Sequence, residues 1–173
     1  LSFLMKPKIR KTYAATALCV VAVILALVII SSKPLFTDPV RCVVMTDAET
    51  DKVYFQQPLE ADGVFSVSYI HSVNKSNVEE YYRLEEDDQL YLFRARYRAF
   101  GAGVATELEE GQTLSYEDGY MIIENIHYQI PNLVYRVGTV SDPLIHIGTQ
   151  VWHMKDLAPP LTSVRFTIQD KYL

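Results

Sequence analysis

Two residues, His71 and Glu80, interrupt an otherwise apolar alternation in the middle of the chain. An imidazole beside a carboxylate favours the doubly protonated ring and keeps the acid charged, which makes such a pair a candidate for acid–base work. Alternation over 64–73 places Phe65, Val67, Tyr69, His71 and Val73 on one strand face; over 78–84 it does the same for Val78, Glu80, Tyr82 and Leu84. A four-residue loop, 74–77, pairs Val73 with Val78, and this register sets His71 opposite Glu80, Tyr69 opposite Tyr82 and Val67 opposite Leu84. Directly opposed β-carbons lie about 4.5–5.5 Å apart, so the pair is within reach. Three roles are open to it: a structural ion pair at the mouth of the hairpin, a polar contact for a partner protein or ligand, and a catalytic dyad. The structural role is the default.

Other chemistry-bearing residues lead to blander readings. Ser72 follows His71 directly, so on a strand it points to the opposite face and the imidazole cannot activate it. No G-x-S-x-G elbow is present. His71, His127, His146 and His153 form no tight ligand motif. The run Glu85–Asp88 lacks the glycine and alternating spacing of a calcium loop and reads as a solvated turn. No catalytic residue, metal ligand or cofactor is assigned. Phe100-Gly101-Ala102-Gly103 lacks the G-x-G-x-x-G frame and reads as a bulge or a sharp exit from a strand. Arg94, Arg96 and Arg98 share the face opposite the apolar one, with Glu79 expected across from Arg94; their guanidinium forks suit lipid phosphates or an acidic partner. The chain holds 12 tyrosines. Tyr81, Tyr128 and Tyr135 are expected on outward faces, as at a protein contact surface.

The elements that must position these residues are strands. Segments 41–45, 52–57, 64–73, 78–84, 89–99, 120–125, 133–137 and 164–169 alternate or are rich in β-formers. Turn signals such as Asp62-Gly63, Asp118-Gly119 and Pro131-Asn132 separate them. A short helix is expected around 149–157. A second loop, 85–88, brings Tyr91, Phe93, Ala95 and Tyr97 onto the apolar face. The expected fold is mainly β: an antiparallel β-sandwich, or a small partly open barrel, on a single N-terminal transmembrane helix.

Location follows from the start of the chain. Lys6, Lys8, Arg10 and Lys11 precede Ala14–Ile30, which contains no charged residue. The 17-residue stretch is at the lower limit for a membrane-spanning helix. The basic cluster belongs on the cytoplasmic side. The exit, Ile30-Ser31-Ser32-Lys33, lacks a small-x-small cleavage pattern, so a retained anchor is expected rather than a removed leader. The expected organisation is a cytoplasmic tail (1–12), a span (13–32), a linker (33–40) and an extracytoplasmic β-domain (41–173). Met5, directly before the cluster, is an alternative start to Leu1. All 21 acidic residues follow the apolar run, against 12 basic ones, a net of −9 that gives nucleic acid no electrostatic footprint. Cys19 lies in the expected span and Cys42 beyond it, so the two do not pair; Cys42 is expected as a small buried strand residue.

Phe65-x-Val67-x-Tyr69-Ile70-His71-Ser72-Val73, then Val78-x-Glu80, then Phe100-Gly101-Ala102-Gly103 resembles a bacterial and archaeal domain-of-unknown-function family, number 1850. Val137-Gly138, His146, Leu157 and Pro159 extend the likeness over about 42–170, while Ala105 stands where the family has proline. The resemblance implies a small protein with an N-terminal apolar segment, encoded beside TAXI-type TRAP transporters. It points to a non-enzymatic accessory role at the cytoplasmic (inner) membrane, contacting the transporter membrane subunit or its substrate-binding protein as well as the lipid bilayer. His71, Ser72, Glu80, Gly101 and Gly103 carry the motif, and with Arg96 and Arg98 they form the candidate contact set. The alternative is a stand-alone extracytoplasmic binding module for a small solute or envelope component.

Overall fold

β-branched and aromatic residues alternating between turn signals form strands that gain stability only by pairing and burying one face. The computed structural model shows how they do so, and it describes residues 38–73, 75–98 and 108–172. In chain order the elements are β1 (Val40–Asp47), β2 (Val53–Pro58), β3 (Val64–Ile70), β4 (Asn77–Leu84), β5 (Leu90–Tyr97), β6 (Thr113–Glu117), β7 (Tyr120–Gln129), β8 (Leu133–Arg136), β9 (Leu144–Ile147), β10 (Gln150–His153), α1 (Met154–Leu157) and β11 (Ser163–Lys171).

These make two open sheets, not a closed barrel. One has four strands in the order β2-β1-β11-β8, the other seven in the order β10-β9-β3-β4-β5-β7-β6. Their ladders are antiparallel. A hydrophobic core joins the sheets: Val43, Met45, Val164 and Phe166 from the smaller one meet Phe65, Val67, Tyr82 and Ile145 from the larger. Phe65, 1% exposed, is at its centre. Its ring stacks on Tyr82 at 5.4 Å within its own sheet and on Phe166 at 5.9 Å across the interface. Phe55 meets Trp152 edge-on at 5.1 Å, closing the core near α1. Cys42 is buried with a free thiol, as expected.

The β3–β4 register differs from the sequence expectation by four residues. The expected strand 64–73 stops at Ile70, because the His71 N–H donates to the Ser76 carbonyl and the Lys75 N–H to the His71 carbonyl. Lys75 takes φ +51°, completing a turn that consumes three residues assigned to the strand. Glu80 therefore stands opposite Val67, Tyr82 opposite Phe65 and Val78 opposite Tyr69. An even slip leaves every side chain on its expected face, which is why the apolar pattern survived the wrong pairing. On β5 an irregularity near Tyr81/Tyr82 keeps Ala95 and Tyr97 on the core side. It puts Leu90 and Leu92 against the core in place of Tyr91 and Phe93. Glu79 consequently faces Arg96 rather than Arg94.

Three strands escaped the sequence pattern. β6 is exposed along its whole length, while β9 and β10 are four residues each. The expected helix at 149–157 shrinks to the single turn of α1, since its first half pairs as β10 with β9. The expected tail (1–12), span (13–32), most of the linker, and Gly101 and Gly103 lie outside the described residues. No helix among the described residues is long and apolar enough to cross a membrane. Replacing Phe65→Ala removes the ring that touches both sheets. It is expected to lower the unfolding free energy by about 3–5 kcal/mol, read from denaturant unfolding as a lower midpoint at unchanged slope.

Candidate functional site

The candidate residues fall into three places. Glu80 points inward from β4 toward the small sheet, because even-numbered positions of that strand face the core. Its Oε2 accepts a hydrogen bond from Tyr82 Oη at 2.9 Å, two positions along the same strand, and from Tyr135 Oη at 2.5 Å, on β8 of the opposite sheet. The two hydroxyls are themselves 2.7 Å apart. Tyr69 tilts against Tyr135 with ring centroids 5.9 Å apart. Burial, then the Glu80 charge, pushes the Tyr69 phenol far above its ordinary range. Burial also leads in raising Tyr82 and Tyr135, so all three stay protonated and Tyr82 and Tyr135 can donate. Glu80 is thus a carboxylate held by hydroxyls from both sheets. Tyr135, expected outward, is the residue that makes the bridge.

His71 and Ser72 lie in the turn between β3 and β4, beyond the end of the pairing. The Val73 N–H donates to His71 Nδ1 at 3.3 Å, so the imidazole helps shape the turn it belongs to. Ser72 is exposed. Around it Ile70 and Val73 stand 45% and 67% exposed, an apolar pair presented at the tip of a tight hairpin. The register thus separates the cross-strand partners that sequence alternation had placed face to face.

Arg96 and Arg98 belong to the outer face of the seven-stranded sheet, where a polar row crosses four strands. His146 Nε2 on β9 is 2.8 Å from Ser68 Oγ on β3; Ser66 Oγ donates to Glu79 Oε1 at 2.9 Å; Arg96 Nη1 donates to Glu79 Oε2 at 3.1 Å. Ser66 and Ser68 are 3% and 5% exposed, so their hydroxyls serve this row and do not meet solvent as a nucleophile must. Burial holds the His146 imidazole below its ordinary pKa, with Glu79 opposing only in part. Arg98 leans over the Tyr120 ring at 5.5 Å. Among the described residues no group of three or more His, Cys, Asp or Glu side chains could hold a metal ion.

A family model described as a domain of unknown function (DUF1850) matches residues 65–154, just over half of the chain. The chain belongs to this family. The DUF1850 match begins at Phe65, the ring that ties the sheets together, and ends at Met154, the first residue of α1. It takes in the Glu80 bridge, the hairpin turn and the outer row. No curated protein and no solved structure matches the chain.

Sequence reasoning placed Glu80 among the candidates and missed its partners. Tyr82 was assigned to the correct face, but pairing Tyr135 with Glu80 requires knowing that β8 lies across the core, which no local pattern encodes. The Ser66/Ser68 face was legible from period two alone, since both alternate with Phe65 and Val67; their partner His146 comes from a strand the pattern did not reveal.

Two outcomes follow for this site. Tyr135→Phe removes one of the hydroxyls on a partly buried carboxylate and is expected to destabilise the fold by about 1–3 kcal/mol. Chemical denaturation measures this, and a loss within error of zero would remove the bridge. For His146, the unfolded chain titrates near 6.5 while the folded imidazole titrates lower. The unfolded state therefore binds more protons as the solution is acidified through that window. Stability from this group is complete above the unfolded value and is lost as pH falls toward the folded one. Unfolding free energy is expected to drop more between pH 7.5 and 5.5 in the native chain than in His146→Gln; equal drops would contradict it.

Proposed function

We propose that this chain is a membrane-anchored, non-enzymatic accessory protein of a TAXI-type TRAP solute transporter. Its N-terminus lies in the cytoplasm, and its extracytoplasmic β-domain contacts the transporter membrane subunit or the substrate-binding protein. The observation that carries this reading is how the motif residues divide. Glu80 is engaged by tyrosine hydroxyls between the sheets, whereas Ser72 and its neighbours Ile70 and Val73 are displayed at a hairpin tip. A carboxylate used up in holding the scaffold is poorly placed to act on a substrate. A hairpin tip carrying exposed apolar side chains suits a protein contact, where a few well-packed anchors supply most of the binding energy. Membership of DUF1850 is compatible with this role, and the apolar Ala14–Ile30 with its basic flank supports the anchor.

The test is recovery of the transporter from mild detergent extracts with the full chain expressed from its native operon. Val73→Asp is expected to leave unfolding within about 0.5 kcal/mol of the native value, as for an exposed position. It should reduce recovered transporter about tenfold, the loss expected from a contact worth about 1.4 kcal/mol. Undiminished recovery with Val73→Asp, or no transporter component recovered with the native chain, would refute the reading.

A further inference from the structure

The outer face of the seven-stranded sheet carries a feature that the hairpin-tip reading does not use. Four of the seven arginines that follow the apolar run stand on this face, and each guanidinium lies over an aromatic ring. Arg83 covers Phe93 at 4.7 Å, Arg94 covers Tyr81 at 5.1 Å, and Arg96 and Arg98 flank Tyr120 at 4.4 and 5.5 Å. The rungs are continuous: Phe93 meets Tyr81 edge-on at 6.3 Å, and Arg96 Nη1 donates to Tyr81 Oη at 3.4 Å. The irregularity in β5 that turns Phe93 away from the core therefore completes an alternating arginine–aromatic ladder.

Stacking fixes the plane of a guanidinium and leaves its edge free to donate. Three of the four cations have a carboxylate nearby: Glu85 at 3.0 Å from Arg83, Glu124 at 3.5 Å from Arg94 and Glu79 at 3.1 Å from Arg96. The Glu124 contact is made to Arg94 Nε itself without forming a hydrogen bond, and Arg96 Nε likewise is a buried N–H with no hydrogen-bond partner. Buried donors are ordinarily satisfied, and each one that is not calls for an explanation. Arg98 has no carboxylate partner among the described residues. Arg98 thus gives the row one cation beyond those that the described acids of this face engage, on a body whose net charge after the apolar run is −9.

We propose that this ladder is a recognition surface for an acidic, extended segment of a partner protein, whose carboxylates engage the Arg94, Arg96 and Arg98 row. Arg94, Arg96 and Arg98 recur every second residue, at about 6.8 Å intervals along an extended chain. Carboxylates at alternate positions of an extended peptide have the same repeat. Arginine and tyrosine together are the residues enriched where protein contacts are strongest. The net charge opposes any anionic occupant alike, and it is the matched repeat along the strand that favours an extended acidic segment over an anionic bilayer. The proposal extends the partner-contact reading to a second surface and needs nothing from the hairpin tip.

The test uses the full chain in neutral detergent and follows the side-chain Nε–Hε resonances of Arg94 and Arg96 by NMR. The probe is the capped peptide Glu-Thr-Glu-Thr-Glu, with Lys-Thr-Lys-Thr-Lys as control and phosphatidylglycerol vesicles as the lipid arm. Both resonances are expected to move downfield, saturably, with the acidic peptide and not with the basic one. Binding should weaken severalfold as added salt shortens the screening length. Arg98→Glu and Arg94→Gln, with Arg96 as reporter in the latter, are each expected to weaken it about tenfold, the change a lost contact worth about 1.4 kcal/mol produces. Equal responses to both peptides, unchanged affinity in both variants, or a response to vesicles without one to peptide would each overturn the proposal. No transporter is present in this assay, so its failure leaves the hairpin-tip reading untouched.

Discussion

A carboxylate placed between two sheets must be given donors or it opposes their closure. Removing such a group from water costs several kcal/mol even after relaxation, and charged hydrogen bonds return about 1.5–3 kcal/mol each. Glu80 meets this condition with Tyr82 from its own strand and Tyr135 from the opposite sheet. The bond to Tyr135 forms only when the sheets are in register face to face, so satisfying the charge and closing the core are one event. Phe65, stacked on Tyr82 and Phe166, supplies apolar contact beside this polar tie. Apolar packing alone tolerates sliding; a short directional bond across the interface does not.

That tie positions what the chain presents outward. The β3–β4 hairpin turn emerges from the same two strands that carry Phe65 and Glu80, so the pairing beneath it sets where Ile70 and Val73 are displayed. On the reverse face of the same strands, Ser66, Ser68 and Glu79 anchor the row that ends in Arg96 and Tyr120. One sheet therefore carries apolar packing and a partly buried carboxylate on one side and a salt-linked arginine–aromatic array on the other. Three strands share both loads.

Much of this was written in the alternation. The inward positions of Phe65, Val67, Val78, Glu80 and Tyr82, and the outward ones of Glu79, Arg94 and Arg96, follow from period two. What alternation does not specify is where pairing starts. Turn chemistry decides that, and the His71–Ser76 bond that shortens β3 has no proline or glycine to announce it. β6 could have been found, since Asp118-Gly119 is a two-residue hairpin turn with both residues at positive φ, flanked by Leu114, Tyr116 and Met121. The β9–β10 hairpin was harder, with strands of four residues and a run into α1 that imitates helical spacing. Contacts between sheets, such as Tyr135 with Glu80, are absent from any local pattern because they join residues 55 positions apart.

The most direct test of the central claim is a double-mutant cycle between Glu80→Gln and Tyr135→Phe, with unfolding free energies taken from equilibrium denaturation. Residues joined by one bond across the interface are expected to show a coupling of about 1–3 kcal/mol, whereas independent positions add within about 0.5 kcal/mol. A coupling in the first range would establish that the carboxylate ties the sheets through this hydroxyl. Simple additivity would mean that the two side chains stabilise the domain separately and that the bridge is not what closes it.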